Sequence, residues 1–217
     1  MAEDANCNLF IINRRKEHWD NLANKLPSVI YYYGDRDYPV EFTKLLGYIS
    51  KKHGFTKESG VKWDLVVDFC AYERKETKSV IRGLGGLTKL YVFISSDSVY
   101  DVCDQKKRVL DDAGKILEAS SVRPEDSKKI RHLSREEDYG HGKLMCEEYL
   151  ASHQESLENP FAYVCLRLPD VIGPFDSTHR VWAYIKWIMV HNIFPVHMDT
   201  DSESKKLSLV YSEDIAG

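Results

Sequence analysis

The stretch DYGHGKLMCEEYL, Asp138 to Leu150, holds a tyrosine and a lysine four residues apart. On a helix those positions share a face, so Tyr139 and Lys143 would present a phenol and an ammonium to one volume. A neighbouring cation favours phenolate and draws a tyrosine from its usual pKa of about 10 toward the proton-transfer range. Gly140 and Gly142 each cost up to about 1 kcal/mol of helix propensity. They add no bulk where a cofactor or substrate must approach closely. By itself Tyr-x-x-x-Lys is a common spacing, and a pairing of Lys143 with Glu147 on the next turn explains it as well.

Two further stretches point to the same kind of place. Tyr91 to Tyr100, YVFISSDSVY, is an apolar strand that ends in a cluster of hydroxyls. Cys165 to Pro174, CLRLPDVIGP, is a strand followed by a rigid turn. In doubly wound sheets ligands bind beyond the carboxyl ends of the strands, which is where these hydroxyls would emerge. Serines satisfying their own backbone at a strand end are the plain alternative.

The elements that must position these residues follow from periodicity. Short β-rich runs alternate with segments of helical length, the pattern of an α/β, Rossmann-like doubly wound parallel sheet with crossover helices. Strands are expected at Leu9 to Asn13, Val29 to Tyr33, Trp63 to Phe69, Leu90 to Ser95, Ala162 to Leu168 and Lys206 to Tyr211. Helices are expected at Lys16 to Lys25, Pro39 to His53, Glu73 to Leu84, Glu137 to Ser156 and Thr178 to His191, and Ser212 opens another with an acidic first turn. The runs DLVVDF and LYVFI are nearly continuous in apolar residues, which predicts helices over both faces of the sheet. Between Asp101 and Asp138 the periodicity fails and about half the residues are charged, which predicts a solvated insertion in a single domain spanning residues 1–217. Its basic run, Lys128 to His132, reads as a solvated face rather than a phosphate contact.

Composition narrows the function classes. The chain has 217 residues, 43% of them hydrophobic, and a formal net charge of −4, which supplies no overall cationic field for nucleic acid. No apolar run is long enough to cross a membrane. The five cysteines lie far apart without a C-x-x-C pair, which suits reduced thiols and argues against a metal site. A cytoplasmic protein is expected.

Taken in order, these stretches resemble the extended short-chain dehydrogenase/reductase superfamily, in its epimerase/dehydratase branch, from about Leu9 onward. The resemblance implies that Tyr139 is the general acid/base, that Lys143 binds the nicotinamide ribose and tunes the tyrosine, and that Ser96 helps hold the substrate. Pro169, in the segment Arg167 to Pro174, would pass the nicotinamide carboxamide. Phe69, Cys70 and Ala71 would lie beside the ribose and pyrophosphate, and Asp35 with Arg36, in the turn Gly34 to Asp37, would meet the adenine. Asn13, Arg14 and Arg15 follow the first strand, where the family selects its cofactor. Arginines there suit a 2′-phosphate, so NADP is slightly favoured over NAD.

The implied activity is an NAD(P)-dependent oxidoreductase, epimerase or dehydratase acting by hydride transfer on a nucleotide sugar or another alcohol or carbonyl. The implied partners are the dinucleotide, a small-molecule substrate and a second copy in a homodimer. A non-catalytic cofactor sensor or scaffold of the same fold is the rival reading, and an RNA-binding relative a weaker one. The family opens with a strand and a Gly-x-x-Gly-x-x-Gly turn that receives the pyrophosphate, and no such element precedes Leu9. The run RGLGG, Arg82 to Gly86, stands in the reverse order and reads as a helix C-terminus. The expectation is therefore a sheet incomplete at its N-terminus, lacking the central strand of the order 3-2-1-4-5-6, in a chain that stops before the family's substrate domain.

Overall fold

The computed structural model describes residues 7–14, 28–154, 160–174, 176, 178–193, 195 and 208–216. In chain order the elements are β1 (Leu9–Asn13), β2 (Val29–Tyr33), α1 (Pro39–Lys52), β3 (Trp63–Asp68), α2 (Arg74–Leu84), β4 (Thr88–Ser96), α3 (Ser127–Glu136), α4 (Asp138–Gln154), β5 (Ala162–Leu168), β6 (Asp170–Ile172), α5 (Arg180–Val190), β7 (Leu209–Tyr211) and α6 (Ser212–Ala216). The helix expected at Lys16 to Lys25 lies outside the described residues, as does Arg15.

Among the described residues every strand pairing is parallel, as alternating strands and helices require. β1 pairs with β2 from Leu9 opposite Val29 to Asn13 opposite Tyr33. β4 is the centre of a second sheet, with β3 on one side and β5 on the other. In the order 3-2-1-4-5-6 these strands take positions two and three, and four to six. Among the described residues no ladder joins β1 to β3, the two strands that would flank position one. Aromatic rings bridge the two sheets instead: Phe10 meets Trp63 edge to face at 4.9 Å, and Phe55 lies 4.1 Å from the same indole.

The core occupies one side of the larger sheet. Tyr91 and Phe93 of β4, both 0% exposed, pack with Phe42 and Leu46 of α1, Val80 and Leu84 of α2, and Cys146 and Leu150 of α4. The register places Leu65 and Val67, Leu90 and Val92, and Val164 together on the opposite face. There Leu65, Val67 and Val164 are 41%, 37% and 43% exposed, so among the described residues this face is more open than a helix-covered one, and the helix expected at Lys16 to Lys25 is not among them. The three described helices of this core all lie on one side, and an apolar strand cannot itself say which neighbour covers it.

Residues 101–138 also differ from the expected solvated insertion. Val102 and Cys103 are buried with Val99 and Leu144, and Leu133 of α3 packs against them. Asp126 starts α3 by accepting a hydrogen bond from the Lys128 amide. The charge-rich outer surface hid an amphipathic helix, on which Lys129 pairs with Asp104 and His132 lies 4.0 Å from Glu136.

Glycines set how closely the helices approach their neighbours. Gly85 caps α2 at φ 57°, so the RGLGG run is a helix end, as read from the sequence. A Cβ at Gly83 would come 2.7 Å from Leu46 Cβ, so that glycine permits the close crossing of α1 and α2. In α4 a Cβ at Gly140 would come 2.3 Å from the Ser98 carbonyl oxygen, and one at Gly142 would come 2.2 Å from the Tyr72 carbonyl oxygen. These two glycines therefore admit the chain's own backbone, which corrects the expectation that they leave room for cofactor or substrate.

Replacing Gly140 or Gly142 by alanine forces helix and loop apart and should cost on the order of 1–3 kcal/mol. Gly47, mid-helix in α1, has nothing within 4 Å of its Cβ position, so Gly47→Ala should instead gain about 1 kcal/mol. Urea unfolding midpoints of the three variants check both signs.

Candidate active site

The carboxyl ends of β3 and β4, the loop after β3 and the first turns of α4 converge on Lys143. α4 begins where the Glu137 carboxylate accepts a hydrogen bond from the Gly140 amide at 3.0 Å. Two turns of this helix are then pinned to successive residues of β4. Lys143 Nζ donates to the Ile94 carbonyl at 2.8 Å, and Ser95 Oγ donates to Glu147 Oε1 at 2.6 Å. The pairing of Lys143 with Glu147 that spacing alone allowed does not form: Glu147 holds Arg167, with Arg167 Nη2 donating to Glu147 Oε2 at 2.6 Å.

Lys143 is 1% exposed, whereas Tyr139 is 47% exposed. The ammonium lies over three aromatic faces, at 4.7 Å from the Tyr72 ring centroid, 4.9 Å from Phe93 and 5.7 Å from Tyr139. Burial pulls its pKa below that of an ordinary lysine, while Cys146, Asp68 and Cys70 nearby work in the opposite direction. Tyr139 and Lys143 thus share one face of α4, half open at the phenol and closed at the amine. Such a pair offers a half-open phenol, able to exchange a proton with a ligand, beside a dry cation.

Ser96 ends β4, and its backbone turns into a short 3₁₀ turn, Asp97–Tyr100. Its hydroxyl accepts from the Ser98 amide at 3.2 Å and lies 3.4 Å from Asp97 Oδ1. The hydroxyl therefore shapes the turn against which Gly140 packs. The Ser96 hydroxyl thus satisfies its own backbone, the plain alternative for a strand-end serine, at a turn beside the head of α4.

The expected cofactor contacts divide into two groups. Phe69 is 66% exposed and Cys70 is exposed, both just beyond the end of β3. Ala71, at 0% exposure, is part of the core. Asn13 ends β1, where its carbonyl accepts from the Gly34 amide at 3.0 Å. Asp35 shapes the next turn by accepting from the Asp37 amide at 3.0 Å, and Arg14 is a loose 3.9 Å from Asp37. Pro169 is half-buried between β5 and β6. Arg36 points inward: its Nη2 donates to Asp68 Oδ2 at 2.6 Å, and Tyr91 donates its hydroxyl to the same oxygen at 2.5 Å. Burial opposes the Arg36 charge, but Asp68 outweighs it and raises the guanidinium pKa; burial and then Asp68 raise Tyr91 well above an ordinary phenol.

Two clusters escaped the sequence. One is Arg36–Asp68–Tyr91, which ties the turn after β2 to β3 and β4. The other surrounds Arg167, which donates to Glu147, to the Tyr100 hydroxyl at 3.1 Å, to the Glu118 carbonyl at 3.1 Å and to Ser121 Oγ at 2.9 Å. It fastens residues 101–121 to β5 and α4. Their members are 20 to 67 residues apart, so no local spacing announces them. Among the described residues no group of His, Cys, Asp and Glu could hold a metal ion, and no helix is long and apolar enough to cross a membrane.

A parallel α/β sheet whose strand ends meet a Tyr-x-x-x-Lys helix defines a Rossmann-like protein of the short-chain type. The model of the NAD dependent epimerase/dehydratase family matches residues 79–217, and the chain belongs to that family. No curated protein matches it. Among solved structures, UDP-glucose 4-epimerase from Thermotoga maritima with UDP-glucose superposes with a TM-score of 0.61 at 14% identity, over 97% of this chain and 63% of that one. UDP-N-acetylglucosamine 4-epimerase from Methanobrevibacter ruminantium, in complex with UDP-N-acetylmuramic acid, gives 0.60 at 18% identity, over 96% and 63%. The Bordetella bronchiseptica enzyme WbmH in complex with NAD+ gives 0.53 at 15% identity, over 95% and 60%. The chain thus spans less than two thirds of each of these solved chains, and at such identities the likeness is one of fold.

Arg167 and Glu147 are the supports most easily tested. Both side chains are nearly buried, at 16% and 8% exposure, so Glu147→Gln strands a guanidinium in the interior. Breaking a pair this way should cost about 3 kcal/mol in urea unfolding. A loss under about 1 kcal/mol would mean that Tyr100, Ser121 and the Glu118 carbonyl already suffice for the cation.

Proposed function

We propose that this chain carries the cofactor-binding core and proton-transfer residues of an NAD(P)-dependent oxidoreductase, epimerase or dehydratase of the extended short-chain type. The observation that carries the reading is the dry ammonium of Lys143 one helical turn from the half-exposed phenol of Tyr139, at the carboxyl ends of parallel strands. Family membership and the NAD+ printed for the WbmH complex support a nicotinamide dinucleotide. The 4-epimerases with bound nucleotide sugars support a nucleotide-sugar substrate, acted on at a carbinol or carbonyl carbon.

The residues present fit the nicotinamide half of such a cofactor: Phe69 and Cys70 are exposed just beyond β3, and the half-exposed Tyr139 phenol shares a helix face with the Lys143 cation. When bound, the dinucleotide would supply the hydride chemistry. Within this chain, Tyr139 exchanges the proton of the substrate oxygen, and Lys143 stabilises the phenolate that results. Ser96, at the strand end beside them, orients that oxygen. Asp35 would hold the adenine, Pro169 the carboxamide, and Arg14 the ribose at which NADP and NAD differ.

Titration with NADPH and NADH, followed by nucleotide fluorescence, tests the cofactor reading. NADPH should bind more tightly, and Arg14→Ala should weaken NADPH by about tenfold while leaving NADH unchanged, the scale of one charge-assisted hydrogen bond. Cys70 should be alkylated more slowly when either nucleotide is bound. Binding of neither removes the reading, and binding without turnover of any nucleotide sugar or alcohol leaves a non-catalytic sensor.

Tyr139→Phe tests the chemistry. It should lower kcat by at least about a hundredfold, the usual contribution of a positioned acid or base, with the cofactor Kd unchanged. Turnover that survives the substitution would take the proton-transfer role away from Tyr139.

A further inference from the structure

We propose that Tyr72 is a positioning residue of this site, the face of its ring closing the solvent side of the Lys143 ammonium and keeping that cation dry beside Tyr139. The inference deepens the reading above and rests on it for its catalytic consequence. Of the three rings around Lys143 Nζ, Tyr72 is the nearest, at 4.7 Å. Phe93 forms the floor at 0% exposure, while Tyr72 and Tyr139 are 51% and 47% exposed. An amine 1% exposed beneath two half-exposed rings is separated from water by those rings, and the closer of them does most of the separating.

The mounting of Tyr72 is rigid on both sides of the residue. Its amide donates to Glu76 Oε2 at 2.6 Å. Its carbonyl oxygen faces Gly142, where any side chain would collide with it. The glycine next to Lys143 therefore sets the ring over the ammonium, and Tyr72 meets the Tyr139 ring at 6.1 Å.

The charged and titratable neighbours do not offer the cation a free counter-ion. Asp68 lies at the end of β3, but its carboxylate already takes Arg36, Tyr91 and the Cys70 amide. Glu76 of α2 is engaged by the amides of Tyr72 and Glu73. The Cys70 thiol stands after β3, Arg36 adds a like charge from the turn after β2, and the Cys146 thiol of α4 is pushed up to about 11 by burial. Lys143 is thus stabilised by one carbonyl and by π faces. Water let in over the amine would screen its field at Tyr139, since charges act more strongly in a dry site. The ring face does this, and the Tyr72 hydroxyl is not required.

The test is residue-resolved amine acetylation of the full chain by acetic anhydride, read by peptide mass spectrometry across alkaline pH, with exposed Lys89 as reference. Tyr72→Phe should leave the limiting rate at Lys143 within about twofold of the parent. Tyr72→Ala should raise it by about tenfold or more, the scale of a desolvated cation–π contact. Cys146, at 0% exposure one turn further along α4, should stay resistant to alkylation in both variants. Equal Lys143 rates in all three proteins, a Phe variant as reactive as the Ala variant, or Cys146 reacting in step with Lys143 would each overturn the role. Loss of nucleotide binding with the expected pattern intact would remove the enzyme reading and leave this one standing; nucleotide binding with equal rates would do the reverse.

Discussion

The arrangement rests on a single buried cation. Placing an ammonium in an interior costs several kcal/mol unless its protons and field are met, and Lys143 is met by one backbone carbonyl and three ring faces rather than by a carboxylate. Each partner comes from a different place in the chain: Ile94 and Phe93 from β4, Tyr72 from the loop after β3, Tyr139 from the helix itself. Holding the four together requires that α4 lie very close to the strand ends, and the two glycines of its first turns allow that approach.

The remaining polar burial serves the same geometry. Glu147, one turn beyond Lys143, binds Ser95 and Arg167, so α4 is fastened to both β4 and β5. Arg167 in turn gathers residues from the segment after β4. Arg36–Asp68–Tyr91 performs a similar task at the other side of β3. Burying these charges makes the interior less forgiving, because a half-satisfied network is worse than an apolar core. In exchange the ends of β3, β4 and β5 hold one relative position.

Much of this was legible in the sequence. The strands Leu9–Asn13, Val29–Tyr33 and Ala162–Leu168 fall where β-rich runs bounded by turns put them, and the helices deviate by one or two residues at their ends. The common face of Tyr139 and Lys143 followed from helix period alone. The resemblance sends Arg36 to the adenine with Asp35, whereas its partner in the fold is Asp68, 32 residues away, which no local pattern announces. α3 lies in the expected solvated insertion because its charges dominate a local average, although Leu133 is enough to dock it on the Val99 cluster.

What the sequence by itself determined is the order of elements, their direction in parallel sheets and the residues on each helix face, because backbone geometry repeats every two residues in a strand and every 3.6 in a helix. Only the tertiary structure decided which neighbour each face meets. It turned Gly140 and Gly142 from room for a ligand into contacts with Ser98 and Tyr72, gave Glu147 to Arg167 rather than to Lys143, and closed aromatic rings over the amine. Those outcomes depend on close packing between segments far apart in the chain, and no local periodicity encodes a distance across the fold.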